Sequence, residues 1–211
     1  MAARLRRICL AGVAVAAVAA LAAPVAGARG GLLGLFGSSC PTNGDQVFAP
    51  WGDDSSYWLA PNGGLEDGSK GWALHNGAAV VSGNEPFLRS GSHSLALPSG
   101  STAATPTICI GPNNPYVRFF ASDAGGSDRG LHVRVTWYGL LNIVLGITDA
   151  TTYDGGRSWD AQGQLRSAGG GDVLIPLLGS TSARIEFTPL GSGSRWQVDD
   201  VYVDPRINRI G

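Results

Sequence analysis

The stretch Leu131-His132-Val133-Arg134-Val135-Thr136-Trp137-Tyr138 decides the fold of this chain. Apolar and polar residues alternate strictly along it, from Leu131 and His132 at one end to Trp137 and Tyr138 at the other. Successive side chains of a β-strand point to opposite faces of the sheet. The stretch therefore predicts a strand with one buried face and one face in contact with water.

Similar short runs, β-branched or alternating, occur on both sides of this stretch. Clusters of Gly, Pro, Asn and Ser separate them, in a chain of 211 residues with 32 glycines and 12 prolines. The predicted strands are 78–82, 94–97, 116–122, 131–138, 141–147, 172–176, 183–189 and 196–204. No helical periodicity is found after residue 28. About eight short strands predict an all-β jelly-roll sandwich, because this topology limits exposed strand edges.

The N-terminus has the pattern of a signal peptide over residues 1–28. Arg4, Arg6 and Arg7 precede an apolar run over residues 8–22, and Ala26-Gly27-Ala28 provides a small-residue cleavage site. The apolar run is shorter than the roughly 20 residues that a membrane-spanning helix needs. We therefore expect a secreted, extracellular protein with no membrane insertion after the signal is removed.

The remaining chain predicts one domain of moderate size. Residues 29–39 are rich in Gly, Ala and Leu without a period and are expected to form a flexible leader, 40–206 the β-sandwich domain and 207–211 a C-terminal tail. The formal net charge of −1 becomes more negative once the three signal-peptide arginines are removed. An acidic chain without a basic run does not favour nucleic acid as a partner.

Two cysteines remain once Cys9 is removed with the signal. Cys40 and Cys109 are then the only thiols of the exported chain. In an oxidising compartment two such cysteines are expected to pair, so the sequence predicts a structural disulfide.

Four short motifs occur in order along the predicted domain. They are Asn62-Gly63-Gly64-Leu65-Glu66, Gly71-Trp72, Ser90-Gly91-Ser92-His93-Ser94-Leu95-Ala96-Leu97 and Trp196-Gln197-Val198-Asp199-Asp200-Val201. Together they resemble the galactose-binding-like jelly roll of carbohydrate-binding modules, especially the xylan- and glucan-binding kinds. A closer resemblance, to a set of secreted actinobacterial proteins, rests on Phe48-Ala49-Pro50-Trp51, Gly83-Asn84-Glu85-Pro86-Phe87 and Arg118-Phe119-Phe120-Ala121 and implies no activity.

The resemblance to carbohydrate-binding modules implies one structural calcium ion. In those modules the glutamate of the first motif and an aspartate of the closing pair ligate it, which here are Glu66 and Asp199 or Asp200. Carboxylate and carbonyl oxygens are the ligands that Ca²⁺ requires. On a regular strand Asp199 and Asp200 would point to opposite faces. The alternative is that these carboxylates cap a loop by hydrogen bonds or pair with an arginine.

Sugar binding in such modules uses exposed aromatic rings beside a few polar groups. Tyr138, Tyr153 and Trp159 are the predicted stacking residues, with Arg134 and Glu186 as predicted polar contacts. Two plainer interpretations remain open. Trp159 would close the mouth of the sandwich. The charged residues expected on the wet face would form cross-strand ion pairs on a solvated surface; they are His132, Arg134, Arg118 and Glu186.

Catalytic motifs are not found in the sequence. There is no G-x-S-x-G, no H-E-x-x-H and no spacing that selects a pair of acids for glycoside cleavage. The sequence therefore predicts no enzyme. It favours a secreted non-catalytic binding module for a carbohydrate or cell-envelope glycan. A structural or interaction protein of the cell surface is the alternative, and a hydrolase is the least favoured class.

Overall fold

The computed structural model describes residues 40–41, 43–88, 91–110, 116–125, 130–139, 142–152, 157–162, 165–166 and 181–204. All of these residues fall within one of the two units into which the chain divides, the unit Leu33–Gly211. The predicted signal peptide, leader and tail, the predicted strand 172–176 and Tyr153 lie outside the described residues.

The described residues form short strands joined by turns, with one 3-10 turn at Ala49–Trp51. The strands are β1 (Trp58–Leu59), β2 (Ala73–His75), β3 (Ala79–Ser82), β4 (His93–Pro98), β5 (Thr102–Ala104), β6 (Ile108–Ile110), β7 (Tyr116–Asp123), β8 (Leu131–Tyr138), β9 (Val144–Thr152), β10 (Asp160–Ala161), β11 (Leu165–Arg166), β12 (Thr181–Pro189) and β13 (Arg195–Val203). No helix in this described part of the chain is long and apolar enough to cross a membrane.

These strands form two antiparallel sheets. The seven-stranded sheet has the order β10-β7-β13-β4-β3, with β1 paired to β13 and β11 paired to β7. The six-stranded sheet has the order β2-β5-β12-β8-β9, with β6 paired to β12. The fold is an all-β jelly-roll sandwich, which confirms the predicted fold class.

The main core lies between the inner faces of the two sheets. Strand β8 contributes Leu131, Val133, Val135 and Trp137, all buried, while the residues between them are partly exposed. This confirms the alternation predicted from the sequence. The other sheet contributes apolar side chains such as Phe119, and the two inner faces interdigitate as in other sandwiches.

A second apolar cluster covers part of the outer face of the seven-stranded sheet. Phe48 and Tyr57, from the segment before β1, pack against Phe120 of β7 and Tyr202 of β13. Trp159 packs against the same cluster. The outer face of this sheet is therefore partly buried beneath the first described part of the chain.

The hairpin between β8 and β9 differs from the prediction. The sequence predicted a strand over 141–147, but β9 begins at Val144 and continues to Thr152. Gly139 donates its backbone N–H to the Ile143 carbonyl, and Asn142 has φ +58°, so this part of the apolar run forms the turn. Apolar composition alone did not distinguish the turn from the strand that follows it.

The predicted disulfide is confirmed. Cys40 and Cys109 are bonded, with 5.3 Å between their Cα atoms and a sequence separation of 69 positions. Cys109 lies in β6, so the bond joins the start of the described chain to the six-stranded sheet.

Candidate functional site

The first candidate site forms where the glycine-rich turn meets the closing strand β13. Ala60 donates its backbone N–H to the Val201 carbonyl at 2.9 Å, and Val201 donates to the Gly63 carbonyl at 3.1 Å. A Cβ atom at Gly63 would lie 2.6 Å from the Val201 oxygen, and one at Gly64 would lie 2.7 Å from Asp200 Oδ1. The two glycines thus allow the close approach of the first and last motifs.

A bulge in β13 changes the environment of the closing aspartates. The register of the strand shifts between Asp199 and Tyr202, and Asp200 has φ +47°. Both carboxylates are buried, with exposures of 0% for Asp199 and 4% for Asp200. The opposite-face arrangement expected for a regular strand therefore does not apply, because a bulge adds one residue and re-aims the side chains.

Hydrogen bonding separates the roles of these two carboxylates. Asp199 accepts from the backbone N–H of Asp200 at 2.8 Å and from the backbone N–H of Glu85 at 3.2 Å, one bond to each oxygen. Asp200 Oδ2 is buried and has no hydrogen-bond partner among the residues that the structure describes. A buried carboxylate oxygen without a donor is unfavourable unless a cation or proton satisfies it. Asp200 is thus the closing aspartate with a free coordination position.

Glu66 lies at the exposed edge of the same region. Its Oε1 accepts the backbone N–H groups of Ser92 at 2.7 Å and His93 at 2.9 Å, and its Oε2 lies 3.0 Å from Ser92 Oγ. The Ser92 backbone N–H, helped by the His93 and Ser92 side chains, lowers the pKa of Glu66 to about 2. Glu66 therefore caps the loop before β4, which was one of the two roles considered for it.

Glu85 completes the group and was not identified as a site residue from the sequence. It is buried, and its carboxylate accepts the backbone N–H groups of Phe87 at 2.5 Å and Leu88 at 2.9 Å. We call Glu66, Glu85, Asp199 and Asp200 the acidic cluster. A backbone hydrogen bond from Glu85 to Asp199 links it to the closing strand, a contact between residues 114 positions apart that no local pattern reveals.

Burial, with a further contribution from neighbouring acids, raises the pKa values of the two aspartates in the acidic cluster. Burial, followed by the charge of Asp200, raises the pKa of Asp199 to about 8. Burial, followed by the charges of Glu85 and Glu66, raises the pKa of Asp200 to about 7. Within the described residues no lysine or arginine pairs with the cluster, and no set of three or more acidic, His or Cys side chains has the spacing of a metal site. Backbone carbonyls and water would have to complete any shell.

Ser92, His93 and Glu66 meet at the surface without forming a catalytic triad. Ser92 Oγ lies 3.0 Å from His93 Nδ1, and Glu66 Oε2 lies 3.3 Å from the same nitrogen. A nucleophilic triad needs the serine and the acid on opposite ring nitrogens, so that the imidazole can take a proton from one side while the other is held. This arrangement does not provide that geometry.

The second candidate site is the outer face of the six-stranded sheet. Arg134 lies at its centre, opposite Glu186 of β12 and Asp149 of β9. Its Nε donates to Asp149 Oδ1 at 2.7 Å, and His132 Nε2 lies 3.2 Å from the same oxygen. The hydrogen bond from Arg134 lowers the pKa of Asp149. The structure thus places the predicted polar contacts Arg134 and Glu186 opposite each other. Arg134 also forms a cross-strand ion pair, with Asp149.

Tyr138 lies on the same face, four residues along β8 from Arg134. It pairs with Ser182 of β12 and Val144 of β9. Val144 and the neighbouring Ile147 are 52% and 55% exposed. One end of this face therefore carries a partly exposed aromatic ring beside exposed aliphatic side chains, and the centre carries charged groups.

Trp159 is not part of this face. It immediately precedes β10, which pairs with β7 in the seven-stranded sheet, and it packs against the cluster of Phe48, Tyr57, Phe120 and Tyr202. The structure does not bring Trp159 together with Tyr138, although both were predicted to stack on a sugar. Tyr153 lies outside the described residues. Trp159 thus has a packing role on the outer face of the seven-stranded sheet, which differs from the predicted alternative that it closes the mouth of the sandwich.

Arg118 was expected on a wet face, and the structure buries it. Its Nη1 donates to Asp53 Oδ2 at 2.8 Å, and its Nε donates to the Gln162 carbonyl at 2.9 Å. Its guanidinium carbon lies 4.1 Å from the centre of the Phe48 ring. Although burial alone would raise the pKa of Asp53, hydrogen bonds from Tyr57, Ser55 and Arg118 lower it overall. The prediction for Arg118 was wrong because the segment before β1 covers this face.

Comparison with known proteins gave matches to solved structures. No protein-family model matches this chain, and no curated protein matches it. Solved structures of similar fold include carbohydrate-binding modules. TmCBM61 in complex with β-1,4-galactotriose has 14% identity and a TM-score of 0.41 over 68% of this chain and 95% of its own. The CBM22-1 xylan-binding domain of Paenibacillus barcinonensis Xyn10C has 14% identity and a TM-score of 0.46 over 71% of this chain and 94% of its own.

Similar folds also occur within larger enzyme chains. The enzymatically active domain of tailspike protein 4 of bacteriophage CBA120 has 14% identity and a TM-score of 0.47 over 68% of this chain. This chain spans about a fifth of that tailspike chain, 21%. At such identities and TM-scores the likeness carries no conclusion about what this chain binds or catalyses.

Proposed function

We propose that this protein is an exported, non-catalytic carbohydrate-binding module. Its glycan site is the outer face of the six-stranded sheet, defined by Tyr138, Arg134 and Glu186. The observation that supports this proposal most is the composition of that face. A partly exposed tyrosine lies beside Val144 and Ile147 at one end, and fixed polar groups lie in the next rows of side chains.

This arrangement has the two properties that sugar recognition requires. A flat apolar surface can pack against the hydrogen-bearing face of a pyranose ring, and planar polar groups beside it can fix the orientation of the hydroxyl groups. The Arg134–Asp149 hydrogen bond holds the guanidinium in place before any ligand arrives. Less conformational entropy is then lost on binding, because the group is already ordered. The motif resemblance to carbohydrate-binding modules supports the same ligand class.

A glycan array and titration calorimetry on the mature chain test this proposal. We expect binding to at least one polysaccharide and a loss of affinity of about 1 to 3 kcal/mol in Tyr138→Ala, the range for removal of a binding hot spot. The control is Tyr116→Ala, which removes a tyrosine that is also partly exposed but lies at the start of β7 in the other sheet. Equal binding by the wild type and Tyr138→Ala would contradict this site.

One observation favours a second candidate function, an interaction protein of the cell surface without a small ligand. Ile143, Val144 and Ile147 are exposed at the start of β9, an edge strand of the six-stranded sheet. Exposed apolar side chains on an edge strand favour contact with another protein. Retention of a protein partner by Tyr138→Ala, together with no binding to any glycan by the wild type, would support this candidate.

A structural calcium ion at the acidic cluster is the second part of the proposal. Asp200 Oδ2 is buried without a partner, so this carboxylate fits the role of ligand. Oε1 of Glu66 already accepts two backbone N–H groups, which fill its two lone-pair positions, so Oε2, which accepts from Ser92 Oγ, is the oxygen of Glu66 that would reach a cation. Calcium would supply charge compensation to the cluster and would hold the glycine-rich turn against β13.

Thermal unfolding with chelator and with added Ca²⁺ tests the metal directly. We expect Ca²⁺ to raise the melting temperature of the wild type, because a ligand that binds only the native state stabilises it. Asp200→Asn should lose this response. It should also melt at a higher temperature than the wild type in chelator near pH 8, since the buried charge is gone. Asp67→Asn, which removes an exposed acid beside Glu66, should retain the calcium response.

A further inference from the structure

One arginine on the outer face of the six-stranded sheet has no anionic partner within the described part of the chain. Arg184 lies in β12, is exposed, and is paired across the sheet with Thr136 of β8. Among the described residues it forms neither an ion pair nor a hydrogen bond. Of the charged residues nearby, Arg134 bonds to Asp149, and Glu186, opposite Arg134 in the sheet, adds a smaller electrostatic interaction with that arginine.

Arg184 lies close to Tyr138, the proposed stacking residue. Tyr138 pairs directly with Ser182, so Arg184 is its diagonal neighbour, two residues along β12. Diagonal neighbours on one face of an antiparallel sheet have Cα atoms about 7 to 8 Å apart, within reach of aromatic and long side chains. Arg184 in β12, Thr136 in β8 and Ile147 in β9 lie in one row across the sheet. A sugar ring that packs on Tyr138, Val144 and Ile147 would therefore have Arg184 beside its edge.

We infer that this face selects glycans that carry carboxylates, such as uronic-acid polymers, and that Arg184 is the residue that confers this preference. The inference rests on the proposed glycan-binding function and specifies its ligand class. A guanidinium presents a planar fork of donors that matches the two oxygens of a carboxylate. Because Arg184 has no partner among the described residues to give up, the ligand carboxylate would not have to displace a protein acid.

The position of the charges along the face supports an acidic ligand over a neutral one. A neutral sugar needs both donors and acceptors, and the central ladder of His132, Arg134, Asp149 and Glu186 already offers both. The same ladder leaves Arg184 without an acceptor. Ser182 and Thr136, which lie beside it on β12 and β8, carry no charge. Arg184 thus places a positive charge at the aromatic end, where the ring is expected to bind.

A pair of probes that differ only in charge tests the inference. Polygalacturonate oligomers and their methyl esters have the same sugar backbone, but the esters carry no carboxylate charge. We expect the acid form to bind at least roughly tenfold more tightly, the lower end for a charge-assisted hydrogen bond. The preference should shrink when the ionic strength rises from about 0.02 M to about 0.5 M, because screening of exposed charges increases.

Two arginine variants test whether Arg184 causes the preference for the acid form. Arg184→Gln should bind acid and ester equally well. Arg195→Gln should keep the preference, because it removes the same charge from an exposed residue in β13 of the other sheet. Melting temperatures of both variants should stay near that of the wild type, which confirms that folding is intact.

The outcomes distinguish a failure of the inference about Arg184 from a failure of the proposed glycan-binding function. If acid and ester bind equally to the wild type, or if Arg184→Gln keeps the preference, the assignment to Arg184 is overturned while glycan binding stands. If neither probe nor any neutral polysaccharide, including xylan and β-1,4-galactan, binds the wild type, the proposed function fails and the inference fails with it. If Arg184→Gln loses the preference and Arg195→Gln keeps it, the result supports both the glycan-binding function and the role of Arg184.

Discussion

The two predicted stacking residues, Trp159 and Tyr138, should respond oppositely to replacement by alanine. Trp159 packs against the buried cluster of Phe48, Tyr57, Phe120 and Tyr202 on the seven-stranded sheet. Tyr138 lies on the outer face of the other sheet with its ring partly exposed. We expect Trp159→Ala to lower the free energy of unfolding with no effect on glycan affinity, and Tyr138→Ala to lower affinity with little effect on stability.

The magnitude for Trp159 follows from its burial. A tryptophan side chain contributes roughly 150 to 250 Å² of surface, and burial of apolar surface stabilises by about 25 cal/mol per Å². Because the ring is only partly buried, we expect Trp159→Ala to cost about 2 to 4 kcal/mol, somewhat below the range for a fully buried aromatic residue. Tyr138→Ala should change stability by no more than about 0.5 kcal/mol, as for other surface substitutions.

Urea unfolding followed by tryptophan fluorescence, with calorimetric titration of the bound glycan, measures both quantities on the same preparations. An unchanged slope of unfolding free energy against urea would show that the two-state comparison is valid. The assignment of Trp159 to a structural role would be refuted if Trp159→Ala unfolded like the wild type and bound glycan more weakly. A loss of several kcal/mol of stability in Tyr138→Ala would refute the surface role of Tyr138.

Three further predictions concern the ends of the domain and the acidic cluster. Replacing Cys40 and Cys109 by serine should lower stability by about 4 kcal/mol, the chain-entropy value for a loop of this length, measured by urea unfolding under non-reducing conditions; an unchanged midpoint would contradict it. With Ca²⁺ chelated, the melting temperature should fall as pH rises from about 4, where an unfolded aspartate titrates, and should level off above about 8, because the raised pKa values of Asp199 and Asp200 keep these groups protonated only in the native state over that window; a flat profile would show that the two acids are already compensated. Gly64→Ala should cost about 1 to 3 kcal/mol through contact with Asp200 Oδ1, and should weaken the calcium response, whereas Gly68→Ala probes a turn glycine away from the cluster.

The sequence predicted the fold well where a feature depends on local periodicity. The alternation along β8 placed four residues in the core and four on the outer face without knowledge of any neighbour, because the two-residue period is a property of the strand itself. The short strands β1, β2, β5 and β6 were not predicted. Strands of two or three residues are too short to show a period, and long-range pairing specifies them.

The sites were less predictable because they depend on contacts between distant residues. Asp199 and Asp200 were identified as a pair, but which of them retains a free oxygen depends on a bulge and on the backbone of Glu85. Similarly, nothing local in the sequence distinguishes the exposed Arg184 from the buried Arg118. Each lies in a strand, and only the segment that covers Arg118 makes the difference.

The contrast between the two outer faces bears on where a ligand can bind. One face is partly covered by the segment before β1, whose Phe48 and Asp53 bury the guanidinium of Arg118. The other face keeps Arg184 exposed. Antiparallel sheets tolerate one solvated face, so an open face is not in itself a sign of function. Since the main core separates the two faces, Trp159→Ala and Tyr138→Ala should be additive in stability within about 0.5 kcal/mol. A coupling energy well above that value would mean that the two outer faces are energetically linked through the core. A glycan bound on one face would then also change the stability of the other.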